Sequence, residues 1–142
     1  MEIVSELLDS KGHDVWTTVP DSTVYDAIKL MAEKEIGALP VVDQGHLVGI
    51  VSERDYARKI ILQGKSSKNA MVREIMTLRV IYTQPDQRIE DCMAIMNENR
   101  IRHMPVVDAD KLVGILSLGD LVNVIIEQQQ LMIEELETFI VG

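Results

Sequence analysis

Short apolar runs and helix-spaced apolar stripes alternate along the chain, and the whole succession occurs twice. Residues 15–19 and 80–83 are brief runs rich in Val, Ile, Thr and aromatic residues that stop before Pro-Asp, as strands leading into turns do. Apolar positions then recur at helical spacing: Val24, Ala27, Ile28 and Met31 in one stretch, Ile89, Cys92, Met93 and Met96 in the other. Each set makes one buried helix face. Thr23 stands where the first helix needs its cap, with Asp26 three residues later as an acidic form of the capping box. Two apolar runs about a polar link follow, 39–42 and 46–51 around Asp43-Gln44-Gly45, then 104–107 and 111–116 around Asp108-Ala109-Asp110. Each pair predicts a β-hairpin. Helices are predicted over 52–62, closed by Gly64, and from 117 to about 138. The order is β-α-β-β-α, twice, an α/β fold.

The two halves also match residue by residue. A shift of 65 positions lays 20–60 on 85–125 without a gap. Pro20-Asp21 meets Pro85-Asp86, Pro40-Val41-Val42-Asp43 meets Pro105-Val106-Val107-Asp108, and Leu47-Val48-Gly49-Ile50 meets Leu112-Val113-Gly114-Ile115. Ser52 and Asp55 meet Ser117 and Asp120. The chain is a duplicated unit, and internal duplication governs the reading of the fold. One unit has too little core to stand alone, so the two are expected to pack sheet to sheet with pseudo-twofold symmetry. The sequence divides into a first unit (1–65), a linker (66–69), a second unit (70–127) and a helical extension (128–142).

Composition narrows the function. Apolar residues make up 46% and aromatic ones only 4%, so aliphatic side chains and 8 Met fill the core. No apolar run reaches the roughly 18 residues of a membrane helix, and acid near the N-terminus argues against a signal peptide. With Cys92 as the one cysteine, the expectation is a cytoplasmic protein in a reducing compartment. A formal net charge of -9 argues against nucleic acid as a partner. The bases nevertheless gather, at Arg54, Arg58, Lys59, Lys65, Lys68 and Arg73, and at Arg100, Arg102 and His103.

Twice, after Pro-Val-Val-Asp, the chain carries Gly, two apolar residues, Ser, two residues and Asp. The copies are Gly49-Ile50-Val51-Ser52-Glu53-Arg54-Asp55 and Gly114-Ile115-Leu116-Ser117-Leu118-Gly119-Asp120. A strand ending at Gly leaves room for close backbone approach, Ser begins a helix whose free N–H groups favour anions, and Asp can accept ribose hydroxyls. Ser followed by Asp is equally an ordinary acidic capping box, and capping alone explains one copy. The doubled pattern resembles the cystathionine-β-synthase (CBS) domain pair, or Bateman module, over essentially the whole chain. Val72-Arg73-Glu74-Ile75-Met76-Thr77 resembles that family's opening, and Val4-Ser5-Glu6-Leu7-Leu8 is its counterpart at an offset of 68, with three extra residues around Ser10-Lys11-Gly12.

The resemblance implies two adenosine clefts, each joining the Ser/Asp motif of one unit to segments of the other. One would use Ser117 and Asp120 for the ribose, Thr17, Thr18, Gly37, Ala38 and Pro40 around the adenine, and Arg102 and His103 for phosphate. The other would use Ser52 and Asp55 for the ribose, with Val80, Tyr82, His103, Met104 and Pro105 near the base and Arg54 or Arg58 on phosphates. The implied ligand is AMP first, with ATP, ADP, NAD(H) and S-adenosylmethionine as alternatives. No metal cluster and no nucleophile–base pair is legible, so no catalytic residue is assigned. Cys92, on an apolar helix face, reads as an inert core thiol. The expected function is a regulatory module that senses the nucleotide and modulates a separate effector protein. The alternative is a structural homodimerisation module that binds none. In either case a homodimer is expected, with the apolar stripe Leu118, Leu121, Val122, Ile125, Met132, Leu136, Phe139 and Ile140 contributing.

Overall fold

The computed structural model describes residues 1–141. Its helices are α1 (Val4–Lys11), α2 (Val24–Lys34), α3 (Glu53–Tyr56), α4 (Val72–Ile75), α5 (Ile89–Asn99) and α6 (Leu118–Val141). Its strands are β1 (Ala38–Asp43), β2 (His46–Ser52), β3 (His103–Asp108) and β4 (Lys111–Ser117), in two antiparallel hairpins. Both hairpins turn on two residues at positive φ, Gln44-Gly45 and Ala109-Asp110, as primed turns require. The pairing skips one residue at the same place in each, between Val41 and Val42 and between Val106 and Val107.

The first strand of each unit is shorter than its sequence predicts. Residues 15–19 and 80–83 contribute single parallel bridges, Thr18 to Val41 and Thr83 to Val106. Thr18 and Thr83 are nevertheless the points where the chain locks onto the hairpin. Thr18 N donates to Pro40 O at 3.0 Å and Val42 N to Thr18 O at 2.9 Å; Thr83 repeats both bonds with Pro105 and Val107 at 2.9 Å. Polar flanks and exposed Trp16, Val19 and Tyr82 give the rest of these segments no second face to bury.

Two hydrophobic cores form, one per unit, and each borrows a helix from the other end of the chain. Val4, Leu7 and Leu8 of α1 pack with Ile89, Cys92, Met96, Met104 and Leu116 of the second unit. Val72 and Ile75 of α4 pack with Val24, Met31, Leu39 and Val51 of the first. Backbone bonds fix the exchange: Val4 N to Gln87 O at 2.9 Å on one side, Val72 N to Ser22 O at 2.8 Å on the other. This reciprocal exchange ties the units together, and β2 meets β4 across the middle.

The first-unit helix after β2 differs from the plain helix predicted over 52–62. Four α-helical residues are followed by a π-helical turn, Ala57–Ile61. The wider turn keeps Ile60 in the core while Arg58 faces the cleft described below. Thr23 caps α2 by accepting from Asp26 N at 3.1 Å. Among the described residues Asp26 makes no return bond to Thr23.

Candidate functional site

Both Ser/Asp motifs form caps, as their spacing requires. Ser52 N donates to Asp55 Oδ2 at 2.9 Å and Asp55 N to Ser52 Oγ at 3.2 Å. Ser117 and Asp120 repeat the pair at 2.8 and 3.1 Å. The glycines before them do not act as read from sequence. Each strand runs three residues past its glycine, and the room beside the glycine is taken by the chain itself. A Cβ on Gly49 would lie 2.8 Å from Met76 Sδ and 3.1 Å from Thr77 O; one on Gly114 would lie 2.6 Å from Leu8 Cδ2. These glycines make room for Leu8 of α1 and for Met76 and Thr77, the residues that follow α4.

A cleft of about 670 Å³ opens at the first Ser/Asp motif. Ser52, Glu53, Arg54, Asp55 and Arg58 form one wall, and Arg100, Arg102 and His103 of the second unit form the facing one. Ile50, Ile81 and Ile101 supply apolar surface, and Thr77 and Arg79 close a third side. Five of the chain's seven arginines are therefore here, against two carboxylates, Glu53 and Asp55. The two arginines elsewhere both sit on acids, Arg73 on Asp21 and Arg88 on Glu90. Among the described residues no cleft arginine is paired with a carboxylate. Arg54 Nη1 donates to the backbone carbonyl of Arg100 at 3.0 Å, a bond that joins the two units across the cleft. In a protein of net charge -9 this is a local concentration of positive charge.

The structure gathers residues that the sequence assigned to two clefts. Gly37, Ala38, Arg102 and His103 share this one cavity with Ser52, Arg54, Asp55 and Arg58. Pro40 is buried in β1, Thr18 is committed to its bridge, and Thr17 is exposed. Met104 and Pro105 are core residues of β3. Along 79–82 the cleft is lined by Arg79 and Ile81, one residue out of phase with Val80 and Tyr82, and Tyr82 is exposed. Glu53, Thr77, Arg79, Asn99 and Arg100 also line it without having been singled out for it.

Electrostatics differ around the second motif. Lys11 Nζ donates to Asp120 Oδ2 at 2.7 Å and to Ile115 O at 2.9 Å. Burial alone would raise the Asp120 carboxyl, but the bonds from Lys11 and from Ser117 together hold it below its ordinary value. Burial pushes the His103 ring down; Asp120 opposes this, and Lys11, Arg102 and Arg54 add to it. Cys92 is buried with Thr83 Oγ1 at 3.3 Å, and burial pushes its thiol up, which makes it a poor nucleophile. Among the described residues no group of acids, His and Cys could hold a metal ion.

A duplicated α/β unit, paired through exchanged helices around a cationic cleft, defines a tandem-repeat module. The CBS-domain family model matches residues 4–62 and 72–127, and the chain belongs to that family. It is 40% identical to a mitochondrial CBS domain-containing protein, CBSX3, of Arabidopsis thaliana, over 98% of this chain and 72% of the relative. A putative signal-transduction protein with CBS domains from Burkholderia ambifaria has 52% identity and a TM-score of 0.85, covering 89% of this chain and 96% of the other. The CBS domain pair of protein MJ0100, solved with 5-methylthioadenosine and S-adenosyl-L-methionine, has 29% identity and a TM-score of 0.79 over 89% and 97%. Among the described residues no helix is long and apolar enough to cross a membrane.

Proposed function

We propose that the cleft at Ser52 and Asp55 binds a phosphorylated adenosine, and that its occupancy regulates a partner protein. The single observation that carries the ligand class is the set of five arginines without carboxylate partners. Asp55 takes the ribose hydroxyls, Ile50, Ile81 and Ile101 flank the base, and the arginines take the phosphates. MJ0100 supports the adenosine part, because its CBS pair holds two adenosine ligands. The arginines change the ranking read from sequence: ADP and ATP fit better than AMP, and S-adenosylmethionine, with its sulfonium cation, fits worst. NAD(H) carries a diphosphate and stays between them. The ligand touches both units at once, so binding favours one relative arrangement of them, which an effector protein reads.

Thermal unfolding with ATP tests this. A ligand at about 100 times its dissociation constant adds roughly 2.7 kcal/mol of apparent stability. The shift on adding ATP should vanish in Asp55→Ala and persist in Asp120→Ala. An undiminished shift in folded Asp55→Ala would remove the ribose assignment.

A second reading, the homodimerisation module, is favoured by α6. Only Leu121 and Val124 of that helix are buried, while Val122, Ile126, Ile133, Leu136 and Ile140 form an exposed stripe. Their spacing is that of a two-stranded coiled-coil seam, with Gln129 as its one polar member. A dimer that binds none of these nucleotides would select this reading.

A further inference from the structure

The two Ser/Asp motifs match in sequence, yet their surroundings are built differently. In the first unit, Ile50 pairs with the backbone of Thr77, its carbonyl accepting Thr77 N–H at 2.8 Å, and the chain continues to Arg79 on the cleft wall. Ile50 and Asp55 both line the cleft. Their counterparts 65 residues on are Ile115 and Asp120. Between those two lies a lysine ammonium, bonded to Ile115 O at 2.9 Å and to Asp120 Oδ2 at 2.7 Å. The reason lies in three residues. Helix α4 has four residues before the chain turns to pair with Ile50, whereas α1 has eight. The extra residues around Ser10-Lys11-Gly12 let α1 run on to Lys11, and Gly12 ends it at a φ of 105.

We infer that Lys11 is a built-in occupant of the second ribose motif, so that the molecule has one nucleotide site and not two. This rests on the reading of the first cleft as a nucleotide site. A ribose needs the carboxylate as acceptor of its hydroxyl protons, and Lys11 already donates to that carboxylate at 2.7 Å. The contact is partly exposed, with side chains 31% and 24% accessible, and the pairing holds the Asp120 carboxyl charged. The first unit has a lysine on its aspartate too, Lys59 at 3.2 Å from Asp55 Oδ1, but with a different course. Lys59 comes from the same helical segment, is fixed to Ile75 O at 2.8 Å, and is not on the cleft wall.

Equilibrium dialysis with ATP, counted per chain, decides this. Wild type is expected to bind one ATP, Lys11→Met two, and Lys11→Arg one. The gained site should vanish in Lys11→Met/Asp120→Ala. Lys11→Gln repeats the test should the Met variant fold poorly. One ATP in wild type and still one in both neutral variants would overturn the inference while leaving the first cleft intact. Two in wild type would overturn it as well. None in wild type with one in Lys11→Met would overturn the first-cleft reading and support the role of Lys11. None in any variant would overturn both.

Discussion

His103 shows how much of the site depends on single positions. Its ring stands against Gly37, where a Cβ would lie 3.0 Å from Cε1, so the glycine makes room for the imidazole on the cleft wall. Burial disfavours its charged form; Asp120 opposes that, and Lys11, Arg102 and Arg54 reinforce it. The folded value lies below the ordinary 6.5, so stability tied to the neutral ring is present above 6.5 and lost as pH falls through the folded value. A phosphate beside the ring reverses the balance and favours the imidazolium. Binding should therefore take up a proton, and ATP affinity should rise from pH 7.5 to 5.5 more in wild type than in His103→Gln. Parallel slopes in titrations of the two proteins would remove His103 from the phosphate contacts. The repeat identified Ser52 and Asp55 because their chemistry recurs in register at Ser117 and Asp120; His103 stands in register with Ala38, and only the family resemblance pointed to it. Arg79 was hidden by phase: side chains of an extended segment alternate, so a shift of one residue exchanges Val80 and Tyr82 for Arg79 and Ile81.

At the scale of elements, hairpins and long helices were plain in the sequence, since period and turn residues specify them locally. The helix exchange was not, because nothing local distinguishes α1 packing on its own unit from α1 packing on the other. The signature glycines record that exchange. Gly114→Ala would drive a Cβ to 2.6 Å from a Leu8 that is 2% exposed, and overpacking of this kind costs about 1–3 kcal/mol. Gly119→Ala is the matched control. Its Cβ would meet only Ser117 Oγ at 3.7 Å, and helix propensity favours Ala by up to about 1 kcal/mol. Urea unfolding should show Gly114→Ala with a lowered midpoint and Gly119→Ala unchanged or raised. Equal midpoints would mean that α1 does not press on β4 as described.

The whole molecule separates its charges. Acid dominates the net charge and the last helix, which carries Glu127, Glu134, Glu135 and Glu137 and no base. Five arginines converge where the two units meet. Neither unit holds this cleft alone: Arg54 and Arg58 come from one, Arg100 and Arg102 from the other, so the ligand reports on their mutual position. The sequence showed both basic clusters but not that they face each other, since that follows from the packing of the units. The most direct measurement is calorimetric titration with S-adenosylmethionine, AMP, ADP and ATP at low and high salt. Affinity should rise in that order, by about tenfold for each phosphate, the worth of one charge-assisted hydrogen bond at its lower end, and should weaken with salt. S-adenosylmethionine binding as tightly as ATP, or affinity indifferent to phosphate number and salt, would contradict the assignment of the cleft to a phosphorylated adenosine.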